Sequence, residues 1–193
     1  MATPTVPVTP ANQAAPIDGQ RATYSAAKVG LVPGSSATDI FTITGSASKT
    51  IRVTRIEIVG TTTSATAAAL DVLLLKRSTA NTGGTSTGSP TAVPHDSLSA
   101  AASATVLSYT AVPTTGTLVG TAIRNQKLML TLATYTATDF PPVAPVIWDF
   151  GSRPAQAIVL RGIAEVLAIN LNTTTPTATA SFDIAIEWTE SDA

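Results

Sequence analysis

The stretch ASFDIAIEW, Ala180 to Trp188, alternates strictly, with Phe182, Ile184, Ile186 and Trp188 on one side and Asp183, Ala185 and Glu187 on the other. A period of two, with branched and aromatic residues on the apolar side, is the pattern of a strand with one buried face. Working outward, DIFTITG (39–45), LDVLLLKR (70–77), ATVLSYTAV (104–112), TLVGTAIR (117–124), QKLMLTLATY (126–135) and VIWDFG (146–151) read as further strands. QAIVLRGIAEVLAINLN (156–172) is too long for one strand and predicts a turn near Arg161 and Gly162. In IRVTRIEIVG (51–60), Ile51 and Val53 share a parity opposite to that of Ile56 and Ile58. A β-bulge near Thr54 and Arg55 would restore inward pointing, because one extra residue reverses the faces.

Composition agrees. Threonine fills about one position in six, and Ala, Ser, Val and Ile supply much of the rest, which favours pleated surfaces. No stretch carries a 3.6-residue apolar stripe, and no repeat of fixed period is present. The prediction is an all-β fold, an antiparallel, jelly-roll-like β-sandwich of roughly eight to ten strands over residues 38–193. Residues 1–37 read as an extended Pro-rich arm and lead-in, since the first twenty or so, with Pro4, Pro7, Pro10 and Pro16 and a single charge, Asp18, offer little apolar surface to bury.

The charge content is 12% and the net charge −1, which argues against direct contact with nucleic acid. There is no cysteine, so disulfides and thiolate chemistry are excluded. No segment approaches the ~20 apolar residues of a membrane span, and no secretory signal is visible, so a protein made in a cytoplasm and without a membrane partner is expected.

Candidate chemistry centres on KRSTANTGGTSTGSPTAVPHDS (76–97), which ends on His95, Asp96 and Ser97. A nucleophile, base and orienting acid must converge, and consecutive residues in a loop diverge, so a triad is not expected here. The glycines of NTGGTSTGS lack the lysine and helix of a phosphate loop. Asp183, Glu187, Glu190 and Asp192 do not make the array of a calcium loop, and no metal or cofactor is expected. Paired carboxylates for glycoside hydrolysis would have to come from Asp149, Glu165, Asp183 and Glu187, for which ordinary ion pairing is the simpler role. Sugar binding would need an exposed platform from Trp148, Trp188, Tyr24, Tyr109 or Tyr135, and both tryptophans fall at core-facing positions.

Some strands are apolar on both faces. Leu70, Val72 and Leu74 form one row of LDVLLLK while Leu73 and Leu75 form the other, and Leu167, Ile169 and Leu171 oppose Val166 and Ala168. Something must cover the second row: a neighbouring subunit is the expectation, and loops of the same chain are the alternative. A loop of about twenty residues reads as a binding or intersubunit contact.

LVPGSSATDIFTITGSASKTIRVTRIEIVGT, LLLKRSTANTGGTSTGSPTAVPHDS and IWDFGSRPAQAIVLRGIAEVLAINLN, ending in ASFDIAIEWTE, resemble a family of small virion structural proteins of tailed bacteriophages. The resemblance covers Tyr24 to Glu190 and rests on segment order and wording. It implies a capsid decoration (cement) or head-fibre protein: a β-rich homo-oligomer, a trimer, that binds the major capsid protein or other virion proteins and stabilises the head. It implies no enzymatic activity and a place in the virion. On that reading Thr3, Val6, Pro7, Val8, Pro10, Ile17 and Arg21 anchor the arm to a partner, and Leu73, Leu75, His95 and Asp96 make intersubunit or loop contacts. The alternative is a tail, baseplate or fibre component that contacts host-surface glycans.

Overall fold

A computed structural model describes residues 21–34, 38–63, 68–86, 88–132, 144–151, 157–172 and 180–192. Two antiparallel sheets pack face to face, and the described residues contain no helix. The strands are β1 (Ala22–Leu31), β2 (Asp39–Thr44), β3 (Lys49–Thr62), β4 (Ala68–Arg77), β5 (Val93–Pro94), β6 (Thr105–Ser108), β7 (Arg124–Leu132), β8 (Val146–Asp149), β9 (Ile158–Leu160), β10 (Val166–Asn170) and β11 (Ala180–Asp192).

The first sheet runs β5-β1-β11-β3, with β8 and β9 both on the far edge of β3. The second runs β7-β4-β10-β2-β6. A short parallel contact, Thr61 with Thr131 and Thr62 with Leu132, joins β3 to β7 and ties the sheets at one edge. The pairing is nested from the ends of the chain inward: β1 with β11, β2 with β10, β3 with β8 and β9, β4 with β7. Successive pairs alternate between the sheets, which is the wrapped double layer of a jelly roll. β5 and β6 are additions from the long β4–β7 connection.

The alternation of β11 sets the interior. Phe182, Ile184, Ile186 and Trp188 are buried and meet Ile51, Val53, Ile56 and Ile58 of β3, Leu70, Val72 and Leu74 of β4, and Leu167, Ile169 and Leu171 in one apolar cluster. The bulge lies at Thr54, where Glu187 pairs with Arg55 but Trp188 with Val53. The bulge also divides the neighbouring edge: β8 pairs with residues 55–58, β9 with 51–53, and between them Phe150 N–H donates to the Thr54 carbonyl at 2.7 Å. The turn near Arg161 and Gly162 separates β9 from β10, with Gly162 at φ +69°.

The structure departs from the sequence reading in three places. Ala22–Leu31, placed with the lead-in, is β1, paired along its length with β11. Its row of small residues, Ala26 behind Tyr24, gives only a weak apolar period. Of TLVGTAIR only Arg124 is strand, as the first residue of β7, and Leu118 makes an isolated bridge to Arg77. Val119 N–H reaches the Lys76 carbonyl and Ile123 N–H the Leu74 carbonyl, so four residues on one side match two on β4, and the surplus loops out at Gly120, φ +68°. Of ATVLSYTAV only Thr105–Ser108 is strand.

The outward row of the second sheet is covered, at least in part, by the chain itself. Leu75 is 6% exposed, and Val166, Ala168 and Thr42, its neighbours across β10 and β2, are buried as well. Lying over this row are Tyr109, whose hydroxyl is 3.4 Å from that of Thr42, and an ion pair between Arg77 and Asp39. The cover by loops of the same chain thus accounts for Leu75, while Leu73 stays half-buried. The outward face of the first sheet is polar, with Arg52, Arg55, Glu57, Asp183 and Glu187.

Candidate contact surfaces

The 78–97 loop is laid down along residues 109–119. Thr82 and Thr114 exchange backbone hydrogen bonds at 2.9 and 2.8 Å, Thr110 N–H donates to the Thr85 carbonyl at 2.8 Å, and Ser78 N–H to the Thr117 carbonyl at 2.9 Å. Ser89 Oγ donates to the Ser86 carbonyl at 2.7 Å and accepts from Ser108 N–H at 3.1 Å. Gly84, at φ +68°, lets the loop approach Tyr109, whose Cδ1 would lie 3.0 Å from a Cβ placed there. The Gly, Ser and Thr content of this loop supplies close approach and hydroxyl donors.

Beyond β5 the chain is held against β1. His95 N–H donates to the Thr23 carbonyl at 2.8 Å. Asp96 Oδ1 accepts from Leu98 N–H at 2.9 Å, a side chain capping its own turn. His95, Asp96 and Ser97 are all exposed, and no hydrogen bond among the described residues joins them. Next to them Leu98 is 92% exposed and Val93 57%. The segment is pinned again by the Tyr24 hydroxyl, which donates to the Ala100 carbonyl at 2.9 Å while its ring stacks on Trp188 at 5.8 Å.

Glu190 makes the last anchor. It is buried, and its carboxylate accepts from Trp188 Nε1 (2.9 Å), Ser103 N–H (3.0 Å), Ser103 Oγ (2.6 Å) and Ala104 N–H (3.1 Å). Burial works to raise its pKa, but the bonds from Ser103, Trp188 and Ala104 outweigh it and hold the group below the usual glutamate value.

At the second sheet, Asp39 and Arg77 pair in two parallel bonds, Nε to Oδ2 at 2.6 Å and Nη2 to Oδ1 at 2.7 Å, with side chains 0% and 7% exposed. Asn81 and Asn170 also donate to the Asp39 carboxylate, at 2.8 and 2.7 Å. Arg77 Nη1 donates to the Gly116 carbonyl, whose own N–H bonds Asn81 Oδ1. Every oxygen of this buried acid has two donors, and the network ties β2, β4 and β10 to both limbs of the long connection.

The other candidates do not converge. Asp149 and Glu187 flank Arg55 on its two neighbouring strands, while Asp183 accepts from Gly30 N–H at 2.7 Å and Glu165 sits between β9 and β10 with Lys76 at 3.0 Å. Trp148, Trp188, Tyr24 and Tyr109 are buried, and Tyr135 lies outside the described residues. Among the described residues no group of three or more His, Asp or Glu side chains could hold a metal ion. Thr3, Val6, Pro7, Val8, Pro10 and Ile17 lie outside the described residues; Arg21 stands directly before β1.

Arg21 belongs to a grouping that sequence reasoning missed. Across the first sheet, Thr23 of β1 lies opposite Thr189, Thr189 opposite Arg52, and Arg52 opposite Val159 of β9. Arg21 is two residues from one end of that row and Arg161 two residues from the other. Arg52 Nη1 donates to Ser191 Oγ at 2.6 Å, and the Arg21 Nε, beneath the surface, has no hydrogen-bond partner among the described residues. Burial first, then the positive charges of Arg21 and Arg161, draw the pKa of Arg52 down. Distant positions in the chain meet here only through strand register, which no local motif reports.

Comparison with protein-family models, with curated proteins and with solved structures finds no match.

Proposed function

We propose that this chain is a non-enzymatic virion structural protein, a capsid decoration protein that binds the head as a homo-oligomer, a trimer, and stabilises it. The observation that carries this reading is the 78–123 connection: bonded along its course to the sandwich, it holds Val93, Leu98, Val112, Leu118 and Val119 exposed. Apolar side chains kept in water on a firmly held loop are what a contact surface needs, because little ordering entropy remains to be lost on binding. The jelly roll is a further support, as an architecture used in viral shells, and the resemblance of segments from Tyr24 to Glu190 points the same way. Fold alone does not decide a function.

The mechanism is noncovalent. Apolar burial between subunits and against the major capsid protein supplies the binding energy, and several attachment points per oligomer multiply it. Residues Thr3 to Arg21 are the proposed anchoring arm, with His95 and Asp96 beside the exposed Leu98 as a second contact. The protein is made in the host cytoplasm and ends in the particle, without direct contact to nucleic acid.

The test is rebinding to heads stripped of the protein. Deleting residues 1–20 and, separately, Leu98→Asp should each weaken binding while the β-domain keeps its circular dichroism and melting temperature. Binding as tight as that of the full chain in both variants would overturn the assigned contacts.

A further inference from the structure

One end of the outward face of the first sheet carries a cluster of three arginines without an ion pair among the described residues. Arg21, Arg52 and Arg161 come from residues 31 and more apart in sequence, yet strand register brings them to one end of this face. Among the described residues none of the three has an ion pair, whereas Lys49, Arg55, Lys76, Arg77 and Lys127 each have one. Around the group, Glu190 points inward to Ser103 and Trp188, Asp192 pairs with Lys49, Glu165 acts on Arg161 through space while its Oε2 holds Lys76 and the Arg161 backbone N–H, and Glu187 lies opposite Arg55. The Arg21 Nε has no acceptor among the described residues. A buried donor left unpaired is a standing cost that an acceptor brought from outside removes.

We propose that Arg21, Arg52 and Arg161 form a carboxylate-binding site on this face, and that its occupant is an extended acidic segment of a partner polypeptide. Guanidinium forks match carboxylates in two parallel bonds and stay charged at every working pH. From β1 across β11 and β3 to β9 the site spans about 14 Å, at ~4.8 Å per strand, the length of four to five extended residues. The complementarity favours protein over nucleic acid: the chain's net charge is −1, and phosphate backbones are bound by long basic tracks rather than by a compact group. The site goes beyond the virion reading and stands without it, since it is tested on the isolated protein.

The probe is a fluorescein-labelled hexaglutamate peptide, followed by anisotropy at low ionic strength, with inorganic phosphate and a single-stranded thymidine oligonucleotide as competitors. Saturable binding that weakens with salt is expected, about tenfold weaker for Arg52→Ala and for Arg161→Ala, and unchanged for Lys127→Ala on the other sheet. Arg161 makes no side-chain hydrogen bond among the described residues, so its variant keeps the test valid if Arg52→Ala fails to fold. No binding of the peptide, equal binding by Arg161→Ala, or displacement at lower concentration by phosphate or the oligonucleotide would each overturn the proposal.

Discussion

Single residues show where this fold is least tolerant. Asp39 is fully buried, and its charge is balanced by Arg77 and two asparagines. Asp39→Ala leaves a buried guanidinium without its partner, an expected loss of about 3–5 kcal/mol in denaturant unfolding. Replacing both members, Asp39→Leu with Arg77→Met, should cost less than the single change, because no charge is then stranded. Glu190 gives a pH signature. Its folded-state pKa lies below the ordinary 4.5, so its contribution is complete above that pH and is lost as pH falls through the lower folded value. Stability measured below pH 4.5 should therefore fall less steeply in Glu190→Gln than in the parent, and equal slopes would show that the carboxylate does not hold the 103–104 segment. None of these bonding partners is visible in sequence: Asp39 meets residues 38, 42 and 131 positions away. The adjacency of His95, Asp96 and Ser97 was readable by itself, since neighbours in a turn point apart.

At the scale of the element, legibility followed the strength of the apolar period. β11 and β3 alternate with large residues, so their faces, and even the bulge at Thr54, could be read directly. β1 hides because Ser25, Ala26, Ala27 and Lys28 carry almost no hydrophobic contrast. The segment 117–124 misleads because its apolar residues follow β4 irregularly around Gly120. Deleting Thr54 would put Ile51, Val53, Ile56 and Ile58 in unbroken alternation in register with β11, so these side chains stay inward and a cooperative unfolding transition is expected to survive. Gly60 lies on the inward row of β3, where an added Cβ would collide with the Leu130 side chain and stand 3.2 Å from Leu128 Cδ2. Gly60→Ala should thus cost about 1–3 kcal/mol by overpacking, read as a lowered denaturation midpoint.

For the whole molecule, the two sheets differ in what they leave outside. The second sheet's apolar row is partly covered by Tyr109 and the Asp39–Arg77 network, so the strongest sequence argument for a subunit neighbour moves from Leu75 to the exposed apolar residues of the long connection. A trimer built on those contacts has a solution mass of about three times the chain's 19.6 kDa, measurable by light scattering, and a lone 19.6 kDa species at micromolar concentration would contradict it. The proposed decoration role has a more direct consequence, because a protein that clamps neighbouring capsomers binds the assembled head and not its separated subunits, and so shifts the head's stability by mass action. Calorimetry of stripped heads with and without added protein measures this: a saturable rise in the temperature of head disruption is predicted, and an unchanged transition with the protein left in the supernatant would contradict it.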